Sequence, residues 1–485
     1  MSDKNVALKG GFWTSVSTGV VMLAQFGRVV ILTRFLEKSD FGIVAIINMV
    51  IGLCLAFTDL GFASVIMYKQ KLTEREFSSL YWAQFIIFII LYIVLSLSSP
   101  LVASFYETPI LSALIPLSGL SIIFQALGKL YDSVLQKKYQ FRALAVRNII
   151  ANVLSLLLAW YLAYKGYGIY SLIYSTLSTI IVINVWNLAS GYKYQRIKFI
   201  FSLKEVIPLA KIGIYQTGTR IVDFIASKVD VFIIGKFLGT DVLGVYDLAK
   251  ELVQKIISFV NTVVSKVALP ILSNNNNDEE AVKVRFLMIT KVVAYICIPI
   301  CLAIAVFSKD IVRIVYGEKF IDSAFMVCIF AIGSMFGSIT CFFDMLGIAK
   351  GRTDLNFKAT IFRVGLIIPL TLICCQYSIE TLVVCNFLFG LILIPIYWKM
   401  IVMKTYPMPF KIYVNQFGKY LLLISGVAVI TALLIQLRLF GSFDNHIIQF
   451  LIYGFVYLLL YLVSLFFVKA DLKTFYNLVF VKKQQ

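Results

Sequence analysis

The chain has 485 residues, of which 60% are hydrophobic and 14% charged, with a mean hydropathy of +0.90 and a formal charge of +19. A soluble domain carries roughly 45–50% apolar and about 25% charged residues, so this composition excludes a single water-soluble globule and requires lipid around much of the surface. The basic excess punctuates apolar runs and does not gather on one soluble face, which argues against nucleic acid as a partner.

A spanning helix needs about 20 mostly apolar residues. That length predicts spans at 12–33, 41–66, 79–104, 110–130, 143–164 and 167–189. A second group follows at 208–236, 242–270, 285–307, 321–349, 358–376 and 380–399, with two more at 416–437 and 447–468. The expected fold is an all-α integral membrane protein of about fourteen transmembrane helices. Lys and Arg number 24 in the connections on the side of residues 1–11 and 8 in the alternate ones. By the positive-inside rule both termini are cytoplasmic. The outward connections are short, 308–320 being the longest, which leaves no room for the large outward catalytic loop of a membrane polymerase or glycosyltransferase.

All eight cysteines fall in apolar stretches and read as small buried hydrophobes. The one histidine, His446, completes no catalytic or metal set. No phosphate-binding loop is present, so ATP is not the expected energy source, and neither a cofactor nor a metal is expected.

The chain repeats itself. Arg34-Phe35-Leu36 through Gly42-Ile43 matches Lys236-Phe237-Leu238 through Gly244-Val245 at an offset of 202. Gln140-Phe141-Arg142-Ala143 and Arg147 match Asn356-Phe357-Lys358-Ala359 and Arg363 at an offset of 216. An even number of spans separates the copies, so both halves have one orientation and are expected to be related by a pseudo-twofold axis along the bilayer normal. The expected lobes are 1–205 and 206–415, six helices each around a central cavity, with the two helices of 416–485 and a cytoplasmic tail appended.

Charges inside spans point to that cavity. A charge at the bilayer centre costs roughly 2.5–3.5 kcal/mol, yet 208–236 holds Arg220, Asp223, Lys228 and Asp230. At helical periodicity Gln216, Thr219, Arg220, Asp223, Ser227 and Asp230 share about a third of the circumference. In the next span Asp247, Lys250, Glu251, Gln254, Ser258, Asn261, Thr262 and Ser265 form one stripe, with Lys255 beside it. The first half follows suit: Thr14, Ser17, Thr18, Gln25 and Arg28 share a face, as do Asn48 and Asp59, and Arg147, Asn152, Asp344 and Arg363 lie within later spans. The candidate cavity residues are Gln25, Arg28, Asn48, Arg147, Arg220, Lys250, Gln254, Lys255, Asn261 and Arg363. Asp59, Asp223, Asp247, Glu251 and Asp344 are candidates for coupling H+ or Na+. Competing readings are snorkelling for Arg147 and Arg363, rim positions for Asp230 and Asp247, and intrahelical pairs for Arg220–Asp223 and Glu251–Lys255.

Residues 33–45 (TRFLEKSDFGIVA) and 58–64 (TDLGFAS) are similar to the signature of the polysaccharide transport family, the O-antigen and exopolysaccharide flippases of the multidrug/oligosaccharidyl-lipid/polysaccharide superfamily. Residues 139–142 (YQFR) and 166–172 (GYGIYSL) resemble its colanic-acid-exporter branch, and the resemblance covers roughly 5–400. It implies a V-shaped pair of six-helix lobes in the bacterial inner membrane. The implied substrate is an undecaprenyl-pyrophosphate-linked oligosaccharide moved to the outer leaflet, with membrane lipid and other polysaccharide-assembly membrane proteins as partners. Relatives that flip a lipid-linked cell-wall precursor place arginines in the first, second and eighth helices. Arg28 matches the first in kind and Lys250 and Lys255 the last, whereas the second span offers Asn48 and Asp59 and no basic residue. The rival reading within the superfamily is a cation-coupled multidrug antiporter, many of which carry an acidic residue in the first span; here that span has none. The rival of another class is a membrane glycan polymerase or glycosyltransferase.

Overall fold

The computed structural model describes residues 3–58, 62–69, 72–273, 279–439 and 446–466, all helical or in short links, with no strand among them. Within helices, the side chains at 3–9, 64, 68, 208–216, 219, 220, 259 and 262–273 also lie outside the described set. Two compact units are formed, Met1–Gly244 and Val245–Gln485.

The first unit contains α1 (Asp3–Phe35), α2 (Lys38–Thr58), α3 (Phe62–Tyr68), α4 (Glu74–Phe105), α5 (Leu111–Lys137), α6 (Phe141–Tyr164), α7 (Ile169–Gly191) and α8 (Leu203–Phe237). α9 (Gly239–Ser273) starts in this unit and continues in the second. The second unit adds α10 (Glu279–Val306), α11 (Ser308–Val315), α12 (Ser323–Thr340), α13 (Phe343–Ala349), α14 (Thr353–Cys374) and α15 (Ile379–Tyr397). It ends with α16 (Met403–Thr405), α17 (Phe410–Asn415), α18 (Gly418–Gln436) and α19 (His446–Phe466).

Among the described residues, twelve helical segments are long and apolar enough to cross a membrane, so this is a multi-pass membrane protein. The other two expected spans fall in α8 and α9, each 35 residues long and set apart by the charges already noted. The expected span 41–66 is divided, α2 ending at Thr58 and α3 starting at Phe62. The expected span 321–349 turns at Cys341–Phe342 between α12 and α13.

In the first unit α1 packs on α6, α5 on α4 and α7, and α8 on α2, α3 and α4. Prolines organise the α4–α5 hairpin. Proline lacks an N–H, so Pro100 and Pro116 leave the carbonyls of Ser96 and Ser112 without helical donors. The buried Ser99 hydroxyl lies 2.8 Å from the first and 3.1 Å from the second and can donate to either. The second unit uses the same chemistry to dock its last helices. Pro299 leaves the Tyr295 carbonyl open, and Tyr420 of α18 donates to it at 3.2 Å, while Tyr457 of α19 donates to the Pro299 carbonyl at 2.9 Å.

The two copies of the first repeat meet inside Met1–Gly244. A Cβ on Gly42 would stand 1.9 Å from the Thr240 carbonyl oxygen, and one on Gly244 would stand 1.9 Å from that of Lys38. Lys38 and Thr240, like Gly42 and Gly244, are 202 residues apart, so each contact is the symmetry image of the other, as in a twofold interface.

Candidate functional site

The expected polar face of α1 is turned onto α6 and α7. Ser17 donates to the Ala145 carbonyl at 3.3 Å, Gln25 to Asn152 Oδ1 at 3.3 Å, and Arg28 Nη1 to Ser155 Oγ at 3.1 Å, with Thr176 Oγ1 at 3.5 Å. Arg147 is buried and makes a hub of α5, α6 and α7: Nη1 meets Asp132 at 2.8 Å and also Asn187, and Nη2 donates to Asn148 at 2.8 Å. A buried guanidinium with a carboxylate and two amides around it is compensated locally. Asn48 is exposed on α2 and lines a cleft of about 190 Å³ between α2, α5 and α7.

On α8, Asp223 is exposed. The Arg220 side chain and Asp59 lie outside the described residues.

In the second unit α9 separates its two faces. Leu248, Ala249, Leu252, Val253 and Ile257 are buried in the unit, whereas Asp247, Lys250, Glu251, Gln254, Lys255 and Ser258 are half-buried or exposed. Lys255 pairs with Glu251 at 2.7 Å, one helical turn away, and Lys250 Nζ stands 5.7 Å from the Tyr246 ring centroid. Deeper along α9, Asn261 donates to Ser338 of α12 at 3.4 Å. Asp344 is exposed at the start of α13 and its carbonyl accepts from Asn356 at 2.8 Å, while Arg363 is half-buried on α14. Both charges lie within electrostatic reach of Tyr397, which donates to the Ala359 carbonyl at 3.0 Å.

Sequence reasoning missed Lys129. Its Nζ donates to Thr58 Oγ1 at 3.2 Å and stands 5.6 Å from the Phe88 ring centroid, with no carboxylate bonded to it among the described residues. The signal was the spacing of Ser118, Ser121, Gln125 and Lys129 along one face of α5. The expected span 110–130 put Lys129 one residue from its end, where a basic residue reads as a boundary charge. The structure continues α5 to Lys137.

Residues 31–325 match the family described as polysaccharide biosynthesis protein. The chain belongs to that family. Among its relatives, the teichuronic acid biosynthesis protein TuaB of Bacillus subtilis (strain 168) is 26% identical over 353 residues, covering 72% of each chain. The lipopolysaccharide biosynthesis protein WzxC of Escherichia coli (strain K12) is 24% identical over 378 residues, 76% of this chain and 75% of that one. A structure of the lipid II flippase MurJ in an inward closed conformation superposes with a TM-score of 0.74 at 18% identity, covering 96% of this chain and 99% of MurJ. An inward-facing MATE family multidrug transporter gives 0.61 at 14% identity, covering 79% and 94%. At these identities the structural likeness establishes a shared fold.

Proposed function

We propose that this protein is a flippase that carries undecaprenyl-pyrophosphate-linked sugar repeat units across the bacterial inner membrane by alternating access, for assembly of a surface polysaccharide such as O-antigen, capsule or exopolysaccharide. The observation that carries the reading is α9, a helix of membrane-spanning length with an apolar face in its own unit and a charged stripe turned off that core. Lipid against such a stripe costs roughly 2.5–3.5 kcal/mol per central charge. Water and a polar substrate remove that cost. The family membership supports the reading, as do relatives that include a succinoglycan biosynthesis transport protein, ExoT of Rhizobium meliloti (strain 1021).

In this proposal Arg28, Arg220, Lys250 and Lys255 serve the diphosphate, where each contact is charge-assisted. Gln25, Asn48, Gln254 and Asn261 serve sugar hydroxyls, Arg147 and Arg363 support the cavity wall, and the polyprenyl tail stays in lipid. Asp59, Asp223, Asp247, Glu251 and Asp344 are candidates for coupling H+ or Na+. The lobes that rock are 1–205 and 206–415, with 416–485 appended and both termini cytoplasmic. The protein acts as a transporter and uses no cofactor.

The test is transfer of a lipid-diphosphate oligosaccharide across proteoliposomes containing wild type, Arg28→Ala or Lys250→Ala. Transfer by the wild type that weakens in either variant supports a flippase with a cationic path. Absence of transfer together with efflux of organic cations overturns the reading in favour of a multidrug antiporter, and glycan chain extension overturns it in favour of a polymerase.

A further inference from the structure

We propose that the cleft between α2, α5 and α7 is a subsite for a glycosyl phosphate, one sugar ring lying in the cleft with its phosphate at Lys129. The proposal rests on the flippase reading and assigns the sugar-proximal part of the substrate to one unit of the protein.

The cleft, about 190 Å³, lies wholly within Met1–Gly244. Its apolar walls are Ile47 and Ile51 of α2 with Leu172 and Ile173 of α7. Polar groups enter from all three helices: Asn48, the α5 row Ser118, Ser121 and Gln125, and Thr176. Ser118 is 7% exposed and its hydroxyl has no partner among the described residues. A buried hydroxyl without a partner costs free energy, as does any such group, unless something in the cleft bonds to it. Polar groups set on aliphatic walls match a ring that is hydroxylated at its edge and C–H at its faces. An acyl chain would leave the Ser118 hydroxyl unsatisfied, although Thr176 already donates to the Leu172 carbonyl at 2.8 Å. An organic cation would find no carboxylate among the lining residues.

Charge at the edges of the cleft sets what the ring carries. Thr176 stands 3.5 Å from Arg28 Nη1. Lys129 continues the α5 row one turn past Gln125, and its Nζ reaches Thr58, whose hydroxyl in turn donates to the carbonyl of Leu55 in the cleft wall at 2.7 Å. An ammonium in an apolar span, without a carboxylate among the described residues and one turn from a hydroxyl-lined cleft, is placed for an anion covalently attached to the sugar. It also brings a cation to the end of α2, a helix whose own span has none.

The experiment uses the full chain in lipid nanodiscs, titrated with glucose 1-phosphate, galactose 1-phosphate, N-acetylglucosamine 1-phosphate and inorganic phosphate. The same preparations are assayed for lipid-diphosphate oligosaccharide transfer in proteoliposomes. The wild type should bind at least one sugar phosphate well ahead of inorganic phosphate. Ser118→Ala and Gln125→Leu should each weaken it by about 2- to 12-fold, the range for one neutral hydrogen bond. Lys129→Met should weaken it by about 10- to 100-fold, as for a bond to a charge, with partial recovery in Lys129→Arg. Thermal stability separates this role from a structural one: Ser118→Ala removes no bond from the protein and should not lower the unfolding temperature. Sugar-phosphate binding unchanged in all three variants overturns the subsite. So does a wild type that transfers the lipid-linked substrate but binds no sugar phosphate. Selective binding without transfer keeps the subsite and removes the flippase reading, and a wild type that neither binds nor transfers overturns both.

Discussion

Replacing Gly42 or Gly244 with alanine tests the internal symmetry at its tightest point. The added methyl would lie 1.9 Å from a backbone carbonyl oxygen in either case, against an ordinary contact distance of 3.4 Å or more, so the crossing must open by about 1.5 Å. The obstacle is backbone in the first turn of α9 or of α2, and no rotamer change can relieve it. Overpacking costs typically about 1–3 kcal/mol, and a backbone obstacle places both variants at the upper end. At roughly 2–4 °C per kcal/mol for a cooperative unit the size of Met1–Gly244, the midpoint of that unit's thermal unfolding should fall by about 6–12 °C. Gly426→Ala on α18 is the control: nothing lies within 4 Å of its added Cβ, and alanine in a helix gains about 0.5–1 kcal/mol over glycine. Because the two sites are images of one crossing, Gly42→Ala and Gly244→Ala should cost equal amounts, and the double variant less than their sum, since the crossing opens once. Fluorescence-detected thermal melts of the purified protein in detergent read all four. Unfolding of Gly42→Ala at the wild-type temperature, or a large difference between the two single variants, refutes the symmetric crossing.

Ser99→Ala removes the hydroxyl that serves the proline-freed carbonyls of Ser96 and Ser112, and should cost about 1–3 kcal/mol in the same melts, the penalty for a buried acceptor left unsatisfied. Arg147→Met leaves Asp132 facing a buried hub and should cost about 3 kcal/mol, whereas Arg147→Met with Asp132→Leu should recover most of it. No recovery would mean the arginine's partners are Asn148 and Asn187 alone. Glu107, in the link after α4, pairs with Lys236 of α8 at 2.8 Å, and that hydrogen bond and charge hold its carboxyl below the usual glutamate range. A depressed carboxyl pKa contributes stability above the unfolded-state value, and the contribution is lost as pH falls through the folded-state value. The melting difference between wild type and Glu107→Gln should therefore be present at neutral pH and vanish on acidification. A difference that persists in acid would assign it to packing.

Helix positions were legible because a lipid-crossing segment announces itself by length and apolarity, and the face of each helix was legible because 3.6 residues per turn fixes it. The predicted α9 stripe lies on the side away from Leu248, Leu252 and Val253, all buried in its unit. Periodicity does not say which neighbour a face meets. The α1 row Ser17, Gln25 and Arg28 was expected to line a central cavity, and its described contacts are with α6 and α7. Nor does it reveal long-range compensation: that Asp132 meets Arg147, or that Tyr420 fills the bond Pro299 cannot make, depends on helices brought together only by folding. Lys129 was lost to an underestimate of helix length, since a long aliphatic stem can carry an ammonium from an interior position.

What distinguishes function from architecture here is where a polar group finds its partner. Arg147 and Ser99 are satisfied within their unit and hold helices together. The ion pair on the α9 stripe contributes little to folding. The Glu251 and Lys255 side chains are 45% and 28% exposed, and an i,i+4 pair of that exposure is worth a few tenths of a kcal/mol, roughly 0.3–0.5. The apolar face behind it anchors α9. Glu251→Leu with Lys255→Leu should therefore leave the melting temperature within the shift expected for about 1 kcal/mol, while transfer of lipid-diphosphate oligosaccharide is lost. Each single variant should retain more stability than Arg147→Met, because its remaining charge is partly solvated. Transfer at wild-type rates in the double variant would keep the flippase function and place the substrate's path away from α9.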